Sequence, residues 1–205
     1  MTSSATNAGS VHFLIGGARS GKSTIAEALA EQSNDVTYVA TAIGQRDDAE
    51  FRQRIADHQA RRPASWRTVE TLDLVAVVED ADPGTTVLID CLSLWVAEIL
   101  DELGAWSHDA ALDAAVSQLR RRAEALTEAL QHSRAHVIVV TNEVGMDVVP
   151  ATLSGRVFRD ELGRLNAQVA AIATRADLVV AGRLLPLVSP SVGAVTQTST
   201  TGDLP

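Results

Sequence analysis

Two kinds of hydrophobic pattern take turns along this chain. Short runs rich in β-branched and other apolar residues recur at 11–15, 36–40, 85–90, 135–141 and 177–181. Between them, apolar residues return every three or four positions, the spacing of a helix with one buried face. The pattern predicts strands at the five runs and helices over 22–32, 48–60, 72–80, 92–103, 108–131 and 155–174. Two further short strands are predicted over 66–70 and 184–188. Pro83-Gly84 marks a turn, and Pro63 closes the helix over 48–60. Apolar strands separated by helices belong to a mostly parallel sheet with helices on both faces, so the predicted fold class is α/β.

The longest predicted helix carries Leu112, Val116, Leu119, Ala123 and Leu126 along one stripe. Arg120, Arg121 and Arg122 near its middle read as a solvated basic face, the other reading being a site for phosphate or an acidic partner. Residues 1–10 are polar, and 189–205 are rich in Ser, Thr, Gly and Pro with little to bury. Both segments are expected to be flexible tails around one domain spanning 11–188.

Chemistry enters at the first junction of strand and helix. Gly16-Gly17-Ala18-Arg19-Ser20-Gly21-Lys22-Ser23 fits the phosphate-binding P-loop pattern G-x-x-x-x-G-K-[ST]. The glycines let the backbone curl until successive N–H groups face one anion, Lys22 adds a point charge, and the Ser23 hydroxyl is suited to ligate Mg2+. The chain is therefore expected to bind a nucleoside triphosphate. In open parallel sheets, ligands collect beyond the carboxyl ends of the strands. Two acids follow apolar strands there. Asp90 closes Val87-Leu88-Ile89-Asp90, a Walker B pattern that would hold the metal ion together with Ser23. Glu143 lies in Thr141-Asn142-Glu143-Val144-Gly145. Each acid also has a simpler reading, as a helix cap or a loop surface charge.

His58 lies seven residues after Phe51 and three after Ile55, which puts it on the inner face of its helical segment. Spacing alone makes it a structural or solvent-edge histidine. Its neighbours Arg54, Arg61, Arg62 and Arg67 open a second reading. A neutral imidazole among cations is a competent nucleophile toward a phosphorus atom whose charge the same cations neutralise. The other histidines lack such company, and no pair has metal-ligand spacing.

Charge narrows the partners. The 205 residues carry a formal net charge of -9, which argues against nucleic acid, including the DNA of RecA-like motors, and against an anionic membrane. No run approaches the roughly 18 to 20 apolar residues that span a bilayer, and residues 2–10 lack the apolar core of a signal peptide. A cytoplasmic protein with small soluble partners is expected. Cys91, the sole cysteine, follows a strand and reads as a buried thiol.

Several blocks together resemble one family. They are the P-loop, Tyr38-Val39-Ala40-Thr41-Ala42, Arg54-Ile55-Ala56-Asp57-His58-Gln59-Ala60-Arg61-Arg62-Pro63, Trp66-Arg67-Thr68-Val69-Glu70, Thr141-Asn142-Glu143-Val144-Gly145 and Gly163-Arg164-Leu165-Asn166. In this order they resemble the bifunctional adenosylcobinamide kinases / adenosylcobinamide-phosphate guanylyltransferases of cobalamin biosynthesis, over roughly residues 12 to 185. The resemblance implies two reactions: phosphorylation of adenosylcobinamide by GTP or ATP, then transfer of GMP from GTP through a covalent GMP-histidine. His58 occupies the position of that histidine. By the same resemblance, Ala40, Thr41, Ala42, Gln59, Ala60, Arg61, Arg62 and Glu70 are further nucleotide contacts, and Asp90 or Glu143 is the metal-side acid. It also implies a RecA-like P-loop fold and a homotrimer whose interfaces help form the corrinoid site. Two positions depart from the family's pattern. Asp57 stands where a second histidine is common, and Asp90 where glutamate is common. Without the resemblance, the P-loop also fits a small-molecule kinase with no covalent intermediate, or a nucleotide-dependent regulatory module.

Overall fold

The computed structural model describes residues 9–43, 53, 59, 62–106 and 109–189. Its elements are β1 (Ser10–Gly16), α1 (Lys22–Ala30), β2 (Val36–Ala40), β3 (Arg67–Glu70), α2 (Leu74–Glu79), β4 (Thr86–Asp90), α3 (Leu92–Glu102), α4 (Asp109–His132), β5 (His136–Asn142), α5 (Leu153–Ile172), β6 (Arg175–Val180) and β7 (Arg183–Leu187). All seven predicted strands are present. The predicted helix over 48–60 lies outside the described residues except for Gln53 and Gln59, both helical. Of the two predicted tails, only residues 9, 10 and 189 are described, and Ser10 already belongs to β1.

Side-chain caps move two helix starts away from the predicted ones. Asp73 accepts from the Ala76 N–H at 3.1 Å, so α2 begins at Leu74. Thr152 accepts from the Gly155 N–H at 3.1 Å, which starts α5 at Leu153 and puts Gly155 inside its first turn. Each cap satisfies a backbone donor that the helix itself leaves unpaired.

The seven strands form one sheet in the order β3-β2-β4-β5-β1-β6-β7. Every neighbouring pair is parallel except β6 with β7. Alternate residues of each strand point to opposite faces, so the apolar runs feed two cores. On one face Leu14, Tyr38, Leu88 and Val140 pack with Ala26 and Ala30 of α1. On the other, Phe13, Ile15, Val39, Ile89 and Val139 meet Leu74 of α2, Trp95 and Ile99 of α3, Leu126 of α4 and Leu165 of α5. The expected α/β architecture, a mostly parallel sheet with helices on both faces, is the one observed.

The arginine run of α4 corrects its sequence reading in part. Arg120 grips the buried carboxylate of Glu161 on α5 with two bonds, Nε to Oε2 at 2.9 Å and Nη2 to Oε1 at 2.6 Å. Arg122 reaches Glu102 of α3 at 3.0 Å. These two side chains tie α4 to its neighbours across the helical layer. Cys91 is buried as expected, and burial pushes its thiol pKa up.

Candidate functional site

The loop between β1 and α1 sits at the carboxyl edge of the sheet, and its backbone takes the conformations an anion cradle needs. Arg19 and Gly21 both have positive φ, at 57° and 98°. Gly21 caps α1 without any side-chain hydrogen bond, leaving the first N–H groups of the helix facing outward. At Gly16 the constraint is contact: a Cβ built there lies 2.3 Å from the Val179 carbonyl oxygen of β6. The turn joining β6 to β7 then leans on the loop, and the Gly182 N–H donates to the Ser20 carbonyl at 2.8 Å. Lys22 is buried, its ammonium donating to the carbonyls of Gly16 at 2.9 Å and Gly17 at 2.6 Å. Gly17, Ala18 and Arg19 are exposed, and Ser23 is half-buried.

β5 lies between β1 and β4, so at ordinary strand spacing the loop strand and the Asp90 strand are roughly 10 Å apart. Alternation from Leu88 turns Asp90 toward the face that α1 covers. Its Oδ2 accepts from the Tyr38 hydroxyl at 3.0 Å. Burial first, and the charge of Asp90 second, push the Tyr38 phenol pKa far above its ordinary value, so the hydroxyl stays a donor. Over the same ring lies the Arg62 guanidinium, 3.4 Å from the ring centroid. The Arg62 Nε and Nη1 atoms are buried and have no hydrogen-bond partner among the described residues. Orphaned buried donors are rare and mark a place where a ligand or ion belongs.

Ala40 ends β2 and pairs in register with Glu70 at the end of β3. Thr41, fully buried, donates its hydroxyl to the Cys91 carbonyl at 2.8 Å and accepts from the Cys91 N–H at 3.0 Å. With that side chain engaged, a nucleotide contact from Thr41 has to come from its backbone. The structure thus gathers 16–23, 40–42, Arg62, Glu70 and Asp90 along one sheet edge. Gln59 is helical and exposed. His58, Ala60 and Arg61 lie outside the described residues.

Glu143 follows β5 beside the P-loop, its N–H donating to the Gly16 carbonyl at 3.0 Å. Its carboxylate accepts from the Gly145 N–H and so closes its own turn. Of the two acids, Asp90 is the one turned toward α1. Two sequence blocks meet beneath the loop. The Thr141 hydroxyl donates to Asn166 Oδ1 at 2.8 Å, and Asn166 Nδ2 donates to the Asn142 carbonyl at 3.0 Å. Asn142 pairs in register with Gly16 and donates to Ser93 Oγ at 3.1 Å. Tyr38, Asn142 and Ser93 were not singled out from the sequence. For Tyr38 the available signal was a hydroxyl two residues from the end of an apolar strand.

Among the described residues no group of three or more His, Cys, Asp or Glu side chains could hold a metal ion. Mg2+ takes one or two protein ligands and completes its shell with phosphate oxygens and water. Asp90, with one oxygen held by Tyr38, and the half-buried Ser23 fit such a sparse donor set.

A glycine loop wrapped on a buried lysine, opposite a strand-end acid at the carboxyl edge of a parallel sheet, defines a P-loop nucleotide-binding protein. The model of the cobinamide kinase / cobinamide phosphate guanyltransferase family matches residues 12–187, and the chain belongs to this family. It is accordingly a bifunctional transferase of cobalamin biosynthesis. Over 178 residues it is 41% identical to the bifunctional adenosylcobalamin biosynthesis protein CobP of Pseudomonas aeruginosa, covering 85% of this chain and 95% of that one. CobU of Escherichia coli, which carries the same description, is 41% identical over 179 residues, 83% of this chain and 95% of its own. Among solved structures, an ATPase from the type III secretion system of pathogenic bacteria aligns with 83% of this chain at a TM-score of 0.49 and 11% identity. The alignment covers about half of that ATPase, 51%. No helix among the described residues is long and apolar enough to cross a membrane.

Proposed function

We propose that this chain phosphorylates adenosylcobinamide with GTP or ATP and then transfers GMP from GTP through a covalent intermediate on His58. In the first step the aminopropanol hydroxyl attacks the γ-phosphorus, its bond to the bridging oxygen breaks, and nucleoside diphosphate leaves. In the second, an imidazole nitrogen of His58 attacks the α-phosphorus of GTP and expels pyrophosphate. A phosphate oxygen of the phosphorylated corrinoid then attacks the same phosphorus, freeing the imidazole and giving adenosylcobinamide-GDP.

The P-loop backbone from Gly16 to Gly21 and the Lys22 ammonium hold the phosphates, while Ala40, Thr41, Ala42, Gln59, Ala60, Arg61, Arg62 and Glu70 contact the nucleotide. Mg2+ between Ser23 and Asp90 would supply charge neutralisation on the phosphate oxygens. The remaining work is positioning, since loose phosphoryl transition states ask for little else.

Arg62 carries this reading. It follows His58 by four residues in sequence, is stacked on Tyr38 beside Asp90, and keeps two buried N–H-bearing nitrogens without partners at the phosphate-binding edge. Incubation with α-labelled GTP should leave label on the denatured wild-type protein, and none on the His58→Ala variant. Chromatography of adenosylcobinamide after incubation with GTP and Mg2+ should show adenosylcobinamide-GDP with the wild type and the phosphorylated corrinoid with the variant. An unlabelled wild-type protein rules out the covalent route, and an unchanged corrinoid rules out the kinase step. The functional unit is proposed to be a cytoplasmic homotrimer, which sedimentation at micromolar concentration would test.

A further inference from the structure

Tyr38 joins two charged groups that the proposed chemistry needs and that arrive from different parts of the chain. Its hydroxyl donates to Asp90 Oδ2 at 3.0 Å, and its ring carries the Arg62 guanidinium at 3.4 Å. The side chain itself is buried in the core under α1 and has little freedom to move. Glu27 of α1, also buried, is near enough for its charge to act on the phenol.

Each half of the contact leaves something free. With Oδ2 held, the Asp90 carboxylate is fixed in rotation, and its other oxygen remains a ligand for a cation on the α1 side. With its plane laid on the ring, Arg62 cannot fold away into solvent, and its orphaned Nε and Nη1 keep a fixed direction. Stacking of a guanidinium on an aromatic face leaves its N–H fork available for an anion.

We propose that Tyr38 is a positioning residue of the nucleotide site, its hydroxyl setting the Asp90 carboxylate for the metal ion and its ring setting Arg62 for the phosphates. This rests on the function proposed above, in which Asp90 meets Mg2+ and Arg62 meets the nucleotide. The two roles separate by substitution. Tyr38→Phe keeps the ring and removes only the hydroxyl, whereas Tyr38→Leu removes both.

The test uses the full chain with Mn2+ and a non-hydrolysable GTP analogue, bound Mn2+ being read by electron paramagnetic resonance. Binding of the analogue alone, in EDTA, is read by calorimetry. Tyr38→Phe should weaken Mn2+ in the nucleotide complex about ten- to a hundredfold, the worth of one hydrogen bond to a charged group, and leave metal-free analogue binding within about twofold. Tyr38→Leu should weaken both. Arg62→Met, which leaves Tyr38 in place, should weaken metal-free binding alone and serves if the Leu variant does not fold. The proposal is overturned if Tyr38→Phe binds Mn2+ as the wild type does, or if Arg62→Met leaves metal-free binding unchanged. Neither readout requires catalysis. A wild-type protein that binds Mn2+ and analogue normally but takes no label from α-labelled GTP would fail the covalent route and leave the role of Tyr38 standing.

Discussion

Replacing Gly16 by alanine should damage both the fold and the nucleotide site, while the same change at Gly17 should not. At Gly16 the added Cβ would stand 2.3 Å from the backbone oxygen of Val179, and real Cβ contacts essentially never fall under 3.0 Å. To reach even that limit, β6 has to retreat by about 0.7 Å. The hydrogen bond from Gly182 to Ser20, now 2.8 Å, would stretch with it to about 3.5 Å, where little of it remains. Overpacking of this kind costs about 1–3 kcal/mol, and the weakened bond adds about 1. In a chain of this size the loss lowers the melting temperature by roughly 5–12 °C. A Cβ at Gly17 meets nothing within 4 Å, so Gly17→Ala should stay within about 2 °C of the wild type. Calorimetric melting of the two variants measures the contrast, and a fluorescent GTP analogue should bind Gly16→Ala at least about tenfold more weakly. If Gly16→Ala melts like the wild type, the close approach of β6 does not organise the loop and the reasoning fails.

Two residues before Val179 on β6, Asp177 is fully buried, with His12 Nε2 and Arg175 Nε each 2.6 Å from Oδ2. Burial alone would raise its pKa, but hydrogen bonds and charge from Arg175 and His12 outweigh it and hold the carboxyl below the usual range. The stability it confers is therefore present above pH ~4 and lost as pH falls toward the depressed folded value. Asp177→Asn should cost about 3 kcal/mol at pH 7 and flatten the acid limb of a stability-against-pH curve measured by urea unfolding. Arg120→Ala strands the buried Glu161, leaving it, among the described residues, Arg164 at 3.7 Å, and should cost about 2 kcal/mol in urea unfolding without altering nucleotide affinity. Cys91, buried and with its thiol pKa raised, should resist iodoacetamide in the folded protein and react only on unfolding, as mass spectrometry would show.

The strands were legible because their apolar runs feed two cores at once, a demand that little else in a soluble chain makes. Even β3, mostly exposed, and β7, wholly exposed, left a trace in Trp66 to Glu70 and Leu184 to Val188. Helix starts were less legible, since Asp73 and Thr152 act through single side-chain bonds that hydrophobic spacing does not record. The basic face of α4 was legible, but the tie that Arg120 makes was not, because the acid that receives it lies 41 residues further on. At the site, the P-loop and Asp90 announce themselves by local pattern. Tyr38 does not, because an apolar strand hides the one polar atom that matters. The distinct duties of Gly16 and Gly17 also escape a motif, since only the packing of β6 separates them.

The strand that opens the chain sits deep inside the sheet, between partners that come far later: β1 is flanked by β5 and β6, whose residues begin at His136 and Arg175. On the ribosome the phosphate-binding sequence therefore emerges long before β5 and β6, and it can take a working shape only after both have been made. Partial products of synthesis should be unable to grip or consume triphosphates. The cradle is complete only after β6 has been made.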